Sequence, residues 1–248
     1  MSATVREVAP GVHLLAHAYV NLYLVEDDDG VTLVDAGLPG VWRPLGEAFR
    51  SIGRRPSELR ALVLTHAHFD HVGVVRKLQQ RGVPIWAAPE DHHLVAHPFS
   101  YAHENPRLIY PIRHPAAVPI LTGMLLGGLP LVRGTTGVRS LATGAVLDVP
   151  GRPEVIATPG HTYGHVALHL RDRDVVISGD ALVTLDPYTA ATGPRIVAGA
   201  ATADFAMNFA SLDAIAATGA GTVLPGHGEP WTEGAESAVE LARAAGPA

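Results

Sequence analysis

The run Leu62-Val63-Leu64 leads directly into Thr65-His66-Ala67-His68-Phe69-Asp70-His71, and this junction constrains the chain more than any other segment. Four metal-capable side chains fall within six residues at the end of an apolar stretch. A strand sends alternate side chains to opposite faces, whereas the turn that follows lets successive side chains converge on one point. Imidazole nitrogen and carboxylate oxygen are ligands that suit zinc, iron and manganese. An ion needs only three or four of them, so the cluster supplies most of a two-metal site.

The same pattern recurs downstream. Val155-Ile156-Ala157 is followed by His161 within Thr158-Pro159-Gly160-His161-Thr162. Val175-Val176-Ile177 is followed by Ser178-Gly179-Asp180, and Thr222-Val223-Leu224 by Pro225-Gly226-His227-Gly228. Each is a short apolar run ending in a glycine-flanked His or Asp, and glycine lets the backbone turn sharply and approach an ion closely. Burying His66, His68, Asp70, His71, His161, Asp180 and His227 without a cation would leave costly unpaired polar groups. Isolated histidines are more often surface or packing residues. His13, His17, His92, His93, His97, His103, His114 and His169 are read that way, and His165 as a support for the loop that carries His161. Metal-bound imidazoles usually donate their second N–H to a carboxylate or carbonyl. Asp35 is assigned that part, and Thr65 a similar one.

On these residues the chain resembles the metallo-β-lactamase-fold hydrolase superfamily. His66, His68, Asp70 and His71 match its His-x-His-x-Asp-His motif, and His161, Asp180 and His227 follow in family order. Leu33-Val34-Asp35-Ala36-Gly37 resembles the family's early strand ending in Asp-x-Gly, and the likeness runs from about Val12 to Gly228. The resemblance implies an α/β fold, an αββα sandwich of two mixed sheets with helices outside. It implies two zinc ions per chain, with iron or manganese as alternatives. His66, His68 and His161 would hold one ion and Asp70, His71 and His227 the other, with Asp180 bridging. The implied reaction is attack of a hydroxide shared by the two metals on an ester, thioester or lactone of a small molecule, with Asp70 orienting the nucleophile.

Comparison within the superfamily narrows this expectation. True β-lactamases lack a bridging Asp such as Asp180, which disfavours penicillin hydrolysis. The ligand set is closest to glyoxalase II-like thioesterases, but only a short tail follows His227 where those enzymes bind glutathione. Lactonases place a catalytic Tyr soon after the bridging Asp. Here Ala181-Leu182-Val183 follow, and Tyr188 is the first tyrosine able to substitute. Persulfide dioxygenases keep much the same ligands around one iron and form the alternative class. Phosphodiesterase activity ranks lower.

Composition bounds the rest. A chain of 248 residues that is 47% hydrophobic and 17% charged reads as one packed domain spanning 1–248. A net charge of −6 argues against a nucleic-acid partner. The absence of cysteine excludes thiolate ligands, disulfides and a Cys nucleophile. No signal-like N-terminus or membrane-spanning run is evident, so a cytoplasmic location is expected.

Strands are expected at Val12–Ala18, Asn21–Val25, Val31–Val34, Ala61–Leu64, Val83–Ala87, Val138–Leu141, Ala145–Val149, Glu154–Ala157, His165–Leu170, Asp174–Ser178 and Thr222–Leu224. Helices are expected at Val41–Ile52, Val72–Gln80, Pro89–Ala96, Ala203–Ala217 and Ala235–Ala244. The segment 97–135 breaks this rhythm with prolines, glycines and apolar residues. It reads as an insertion: a lid, a homodimer contact or a membrane-surface contact. As a lid it would line the mouth of the cleft, and Leu125 and Leu126 would touch an apolar part of the substrate.

Overall fold

The side-chain alternation along the early strands explains how the molecule layers. The structure, a computed structural model, describes residues 4–248. Strands β1 (Thr4–Ala9), β2 (Val12–His17), β3 (Val20–Asp27) and β4 (Gly30–Val34) form an antiparallel meander. Strands β5 (Leu59–Val63), β6 (Ile85–Ala87) and β7 (Arg139–Ser140) extend it in parallel to complete a seven-stranded sheet. A second sheet has the order β13 (Thr222–Pro225), β10 (Val175–Gly179), β9 (Val166–Leu170), β8 (Glu154–Ala157). Strands β11 (Val183–Leu185) and β12 (Thr192–Arg195) pair as a separate ribbon.

Leu14, Tyr23, Val34 and Val63 share one buried cluster with Val155, Leu168, Val175, Ile177 and Leu224 of the second sheet. Their neighbours Leu15, Leu22, Leu24, Leu33 and Leu62 fall in another, with Leu45 and Phe49 of helix α1 (Trp42–Ser51) and Leu78 of α2 (Val75–Gln79). On the far side, Ala167, Val176 and Val223 pack with Leu212 and Ile215 of α6 (Phe205–Ala216) and Ala238, Val239 and Ala242 of α7 (Ala235–Ala245). Period-two alternation thus divides each sheet between an inter-sheet core and a helix-facing core. This is the αββα sandwich expected from the sequence.

Several elements differ from expectation. β1, β11 and β12 carry no distinctive apolar run and were not foreseen. Ala145–Val149 is not a strand; one isolated bridge, Val146 to Glu154, ties it to β8. The helix expected from Val72 begins only at Val75, because the preceding backbone is engaged elsewhere. Gly73 N donates to Gly37 O at 2.6 Å and Val74 N to Ala36 O at 3.2 Å. A Cβ on Gly73 would collide with that Gly37–Leu38 backbone.

The segment 97–135 forms two short helices, α4 (Tyr110–Arg113) and α5 (Val118–Leu126), after α3 (His92–Ala96). Ile120, Met124 and Val132 anchor it in the helix-facing core. Leu108, Ile112, Leu126 and Leu131 remain at least 70% exposed. Among the described residues no single helix is long and apolar enough to cross a membrane.

Candidate metal centre

Strand ends from both sheets meet at one edge, where backbone bonds weld them together. Val166 N donates to Thr65 O at 2.8 Å, Asn21 N to Gly226 O at 2.8 Å and Gly226 N to Gly179 O at 2.9 Å. The turns after β5, β8, β10 and β13 are thereby held side by side. They carry His66 to His71, His161, Asp180 and His227, all buried. Potential ligand atoms of His66, His68 and His161 lie within 4.8 Å of one another, and so do those of Asp70, His71 and His227. Asp180 stands among both trios. Its Oδ2 is 3.5 Å from His161 Nε2 and 3.1 Å from His227 Nε2, and its Oδ1 is 3.6 Å from His71 Nε2.

Hydrogen bonds at the far side of each ring fix which nitrogen is free. Thr65 Oγ1 donates to Asp35 Oδ2 at 2.8 Å, so its oxygen accepts from His66 Nδ1 at 3.1 Å. His71 Nδ1 donates to Asp35 Oδ2 at 2.9 Å, and His227 Nδ1 to Tyr19 O at 2.6 Å. Thr202 Oγ1 donates to Val197 O and accepts from His161 Nδ1 at 3.4 Å. In each case the Nε2 lone pair points inward. Nε2 of His66, His68, His71, His161 and His227, and Oδ1 of Asp180, are buried with no hydrogen-bond partner among the described residues. Such a set of orphaned donors to a cation is costly unless an ion joins them. The residues therefore fit a metal centre.

Asp35 sits at φ 60°, a left-handed conformation that Asp tolerates better than most residues. There its carboxylate accepts from Thr65 N, Thr65 Oγ1 and His71 Nδ1 together. His165 carries its proton on Nδ1 like the other rings, but its Nε2 is occupied. Its Nε2 accepts from Asp180 N at 3.0 Å and Ala181 N at 3.2 Å, so Nδ1 carries the proton toward Thr158 Oγ1. Its inward nitrogen is spent on holding the Asp180 backbone, which explains why it supports the site without facing an ion.

Several contributors carry no sequence signal of their own. Asp91 is buried and accepts from Ala67 N, Thr162 Oγ1 and Gly164 N, tying the His66–His68 turn to the His161 loop. Burial pushes its carboxyl up to about 6 despite those three bonds. Asn21 Nδ2 donates to Pro225 O and Gly228 O, clamping the His227 turn. Tyr101, from the insertion, sets its ring against that of His68, with centroids 4.3 Å apart and planes tilted by 43°. Tyr188 reaches Tyr101 with hydroxyls 3.4 Å apart, so its loop does fold back beside the site. Leu125 and Leu126 instead stand out from α5, 53% and 76% exposed.

The charges divide the site. Burial holds His66 and His161 well below the usual imidazole range and His68 at about 4. Burial also pulls His71 down, but Asp180, Asp35 and Asp70 outweigh it and push it up to about 9. A metal ion entering the metal-free protein must displace that His71 proton. Burial lowers His227 in the same trio too, but Asp180 and Asp70 outweigh it and hold it well above the usual imidazole range, so apparent metal affinity is expected to rise with pH from neutrality through about 9. Calorimetric titration in buffers of different ionisation enthalpy would record the released proton. An affinity flat over that range, with no proton release, would show that His71 binds no ion.

The family model for the metallo-beta-lactamase superfamily matches residues 17–227. The chain is 30% identical to the probable metallo-hydrolase YflN of Bacillus subtilis, over 73% of this chain and 67% of that protein. It is 29% identical to the hydroxyacylglutathione hydrolase GloC of Haemophilus influenzae, over 65% of this chain and 66% of GloC. The chain spans about two thirds of the length of these curated relatives. The crystal structure of TTHA1623 in a di-iron-bound form superposes with a TM-score of 0.59 and 29% identity, covering 88% of this chain and 92% of that one. With its fold, its strand-end His/Asp cluster and these matches, the chain belongs to the metallo-beta-lactamase superfamily.

Proposed function

We propose that the protein is a two-metal hydrolase that cleaves an ester, thioester or lactone of a small molecule. The observation that carries this reading is the inward set of five unpartnered Nε2 atoms around Asp70 and Asp180. His66, His68 and His161 would hold one ion, and Asp70, His71 and His227 the other, with Asp180 shared. Zinc suits this set of nitrogen and oxygen ligands, and the di-iron form of TTHA1623 makes iron the alternative to test. Bound there, the ions would supply Lewis acidity and acidify a water molecule.

The chain's own groups do the remaining work. Asp35, Thr65, Tyr19 O and Thr202 fix the imidazole tautomers. Asp70 Oδ2, 3.4 Å from His227 Nε2, is placed to orient the nucleophile and relay its proton to the leaving group. The chain contains no cysteine to act as a covalent nucleophile. Two separate ligand trios favour two ions over the single iron of a dioxygenase.

Protein from zinc-supplemented medium is expected to contain about two metal equivalents and to turn over members of an ester, lactone and thioester panel. Asp70→Asn is expected to lower kcat by about 10²–10⁴-fold while the chain stays folded. One iron per chain with oxygen-dependent turnover of a persulfide would overturn the hydrolase reading. An Asp70→Asn variant with unchanged rate would remove that residue from the chemistry.

A further inference from the structure

Arg107 lies in the insertion, where the sequence offers it, with Arg113 and Arg133, as an anion contact but favours a solvated surface role. The structure places it differently. Its guanidinium carbon stands 3.8 Å from the centre of the Tyr101 ring, which also neighbours the His68 ring at 4.3 Å and the Phe69 ring at 6.0 Å. Tyr101 is only 6% exposed. Arg107 Nη2 donates to Tyr101 O at 3.2 Å, while Arg107 Nε is buried without a partner among the described residues. No carboxylate among the described residues forms an ion pair with it, although Asp70 and Asp180 lie in the adjoining cluster.

The loop that carries Arg107 is pinned. Glu104 N donates to Thr202 O at 3.0 Å and Asn105 N to Gly199 O at 2.9 Å, within the stretch that also bears the His161 partner Thr202. The guanidinium is therefore a positioned cation one aromatic ring away from a candidate metal ligand. Guanidinium presents five N–H donors in a planar fork matched to carboxylate, and the protein uses few of them here. A cation beside a cluster built for metal ions opposes metal binding. That cost is offset if an anion joins it during turnover. The Tyr101 and Tyr188 hydroxyls bond each other at 3.4 Å, which leaves one O–H of the pair as a neutral donor beside the guanidinium.

We propose that Arg107, Tyr101 and Tyr188 form a carboxylate-accepting subsite beside the His68 side of the metal centre, so that the preferred substrate carries a carboxylate a few bonds from the one cleaved. The proposal rests on the hydrolase reading above and narrows its substrate class. The stack on Tyr101 orients the fork, and the substrate carboxylate completes the pairing that the protein leaves open.

The test uses zinc-loaded protein and matched chromogenic esters. The mono-p-nitrophenyl esters of glutaric, adipic and pimelic acids are compared with the p-nitrophenyl esters of pentanoic, hexanoic and heptanoic acids. At the best chain length the wild type is expected to prefer the carboxylate-bearing ester in kcat/KM. Arg107→Gln is expected to reduce that preference by about 10–100-fold, mainly through KM, as loss of a charged hydrogen-bond pair does. Arg107→Lys should retain part of it, and Arg113→Gln, on exposed α4, all of it. Calorimetric binding of adipate, with hexanoate as control, gives a readout independent of turnover. Equal losses for both ester series in Arg107→Gln would mean that the residue only props Tyr101, and an unchanged preference would also overturn the proposal. If metal-loaded protein cleaves no ester yet binds adipate through Arg107, the subsite stands and the ester-hydrolase reading falls.

Discussion

Asp180→Ala is expected to give a folded protein that no longer retains its full metal complement and has little hydrolytic activity. Among the described residues Asp180 is the one carboxylate with oxygens within 4.0 Å of nitrogens from both ligand trios. Its backbone N–H is separately held by His165, so truncating the side chain does not release the turn. Removing the carboxylate leaves clustered imidazoles with no shared anion and, on the two-metal proposal, would take a ligand from both sites. The loss in metal affinity should exceed the roughly 10–100-fold that follows removal of an outer hydrogen-bond partner. Metal analysis after dialysis, with circular dichroism to verify the fold, would measure it. Full metal content with wild-type turnover would sink the shared-ligand assignment.

Gly226→Ala should do comparable damage without changing any candidate ligand. A Cβ at this position would overlap Asp180 Oδ1 and lie 2.9 Å from His71 Cε1. The backbone cannot retreat easily, because Gly226 N donates to Gly179 O and its carbonyl accepts from Asn21 N. Asn21 and the Tyr23 hydroxyl clamp Pro225 just before it. The methyl group must therefore displace the carboxylate or the imidazole. A stability cost of about 1–3 kcal/mol is expected from overpacking, together with metal loss at least as large as that from removing an outer partner. A Gly226→Ala protein with normal metal content and activity would show that the turn has more slack than its hydrogen bonds suggest.

Both variants probe what a ligand motif alone does not specify. The sequence supplied the candidate ligand types and their positions because each follows a short apolar run, a local signal that needs no partner. Apolar runs likewise marked β2 to β5 as strands, and the Asp35 carboxylate was legible as a partner for a candidate ligand imidazole. The strand expected at Ala145–Val149 has apolar residues but only one bridging partner, and nothing local separated Arg107 from Arg113 and Arg133. Asp91 and Tyr101 sit in irregular stretches with no periodicity to mark them, and Asn21, though inside β3, is singled out only by the distant His227 turn that it clamps.

By itself, then, the sequence determined which residues could hold metal and that two sheets would bury their apolar faces against each other. Only the tertiary structure decided which imidazole nitrogen faces inward, why His165 is turned to a backbone role, and that Arg107 stands over Tyr101. The physical reason is range. Strand periodicity and turn chemistry act over a few residues, whereas tautomers, burial and open charges are set by groups such as Tyr19 O, Thr202 and Asp180, which packing brings in from distant parts of the chain.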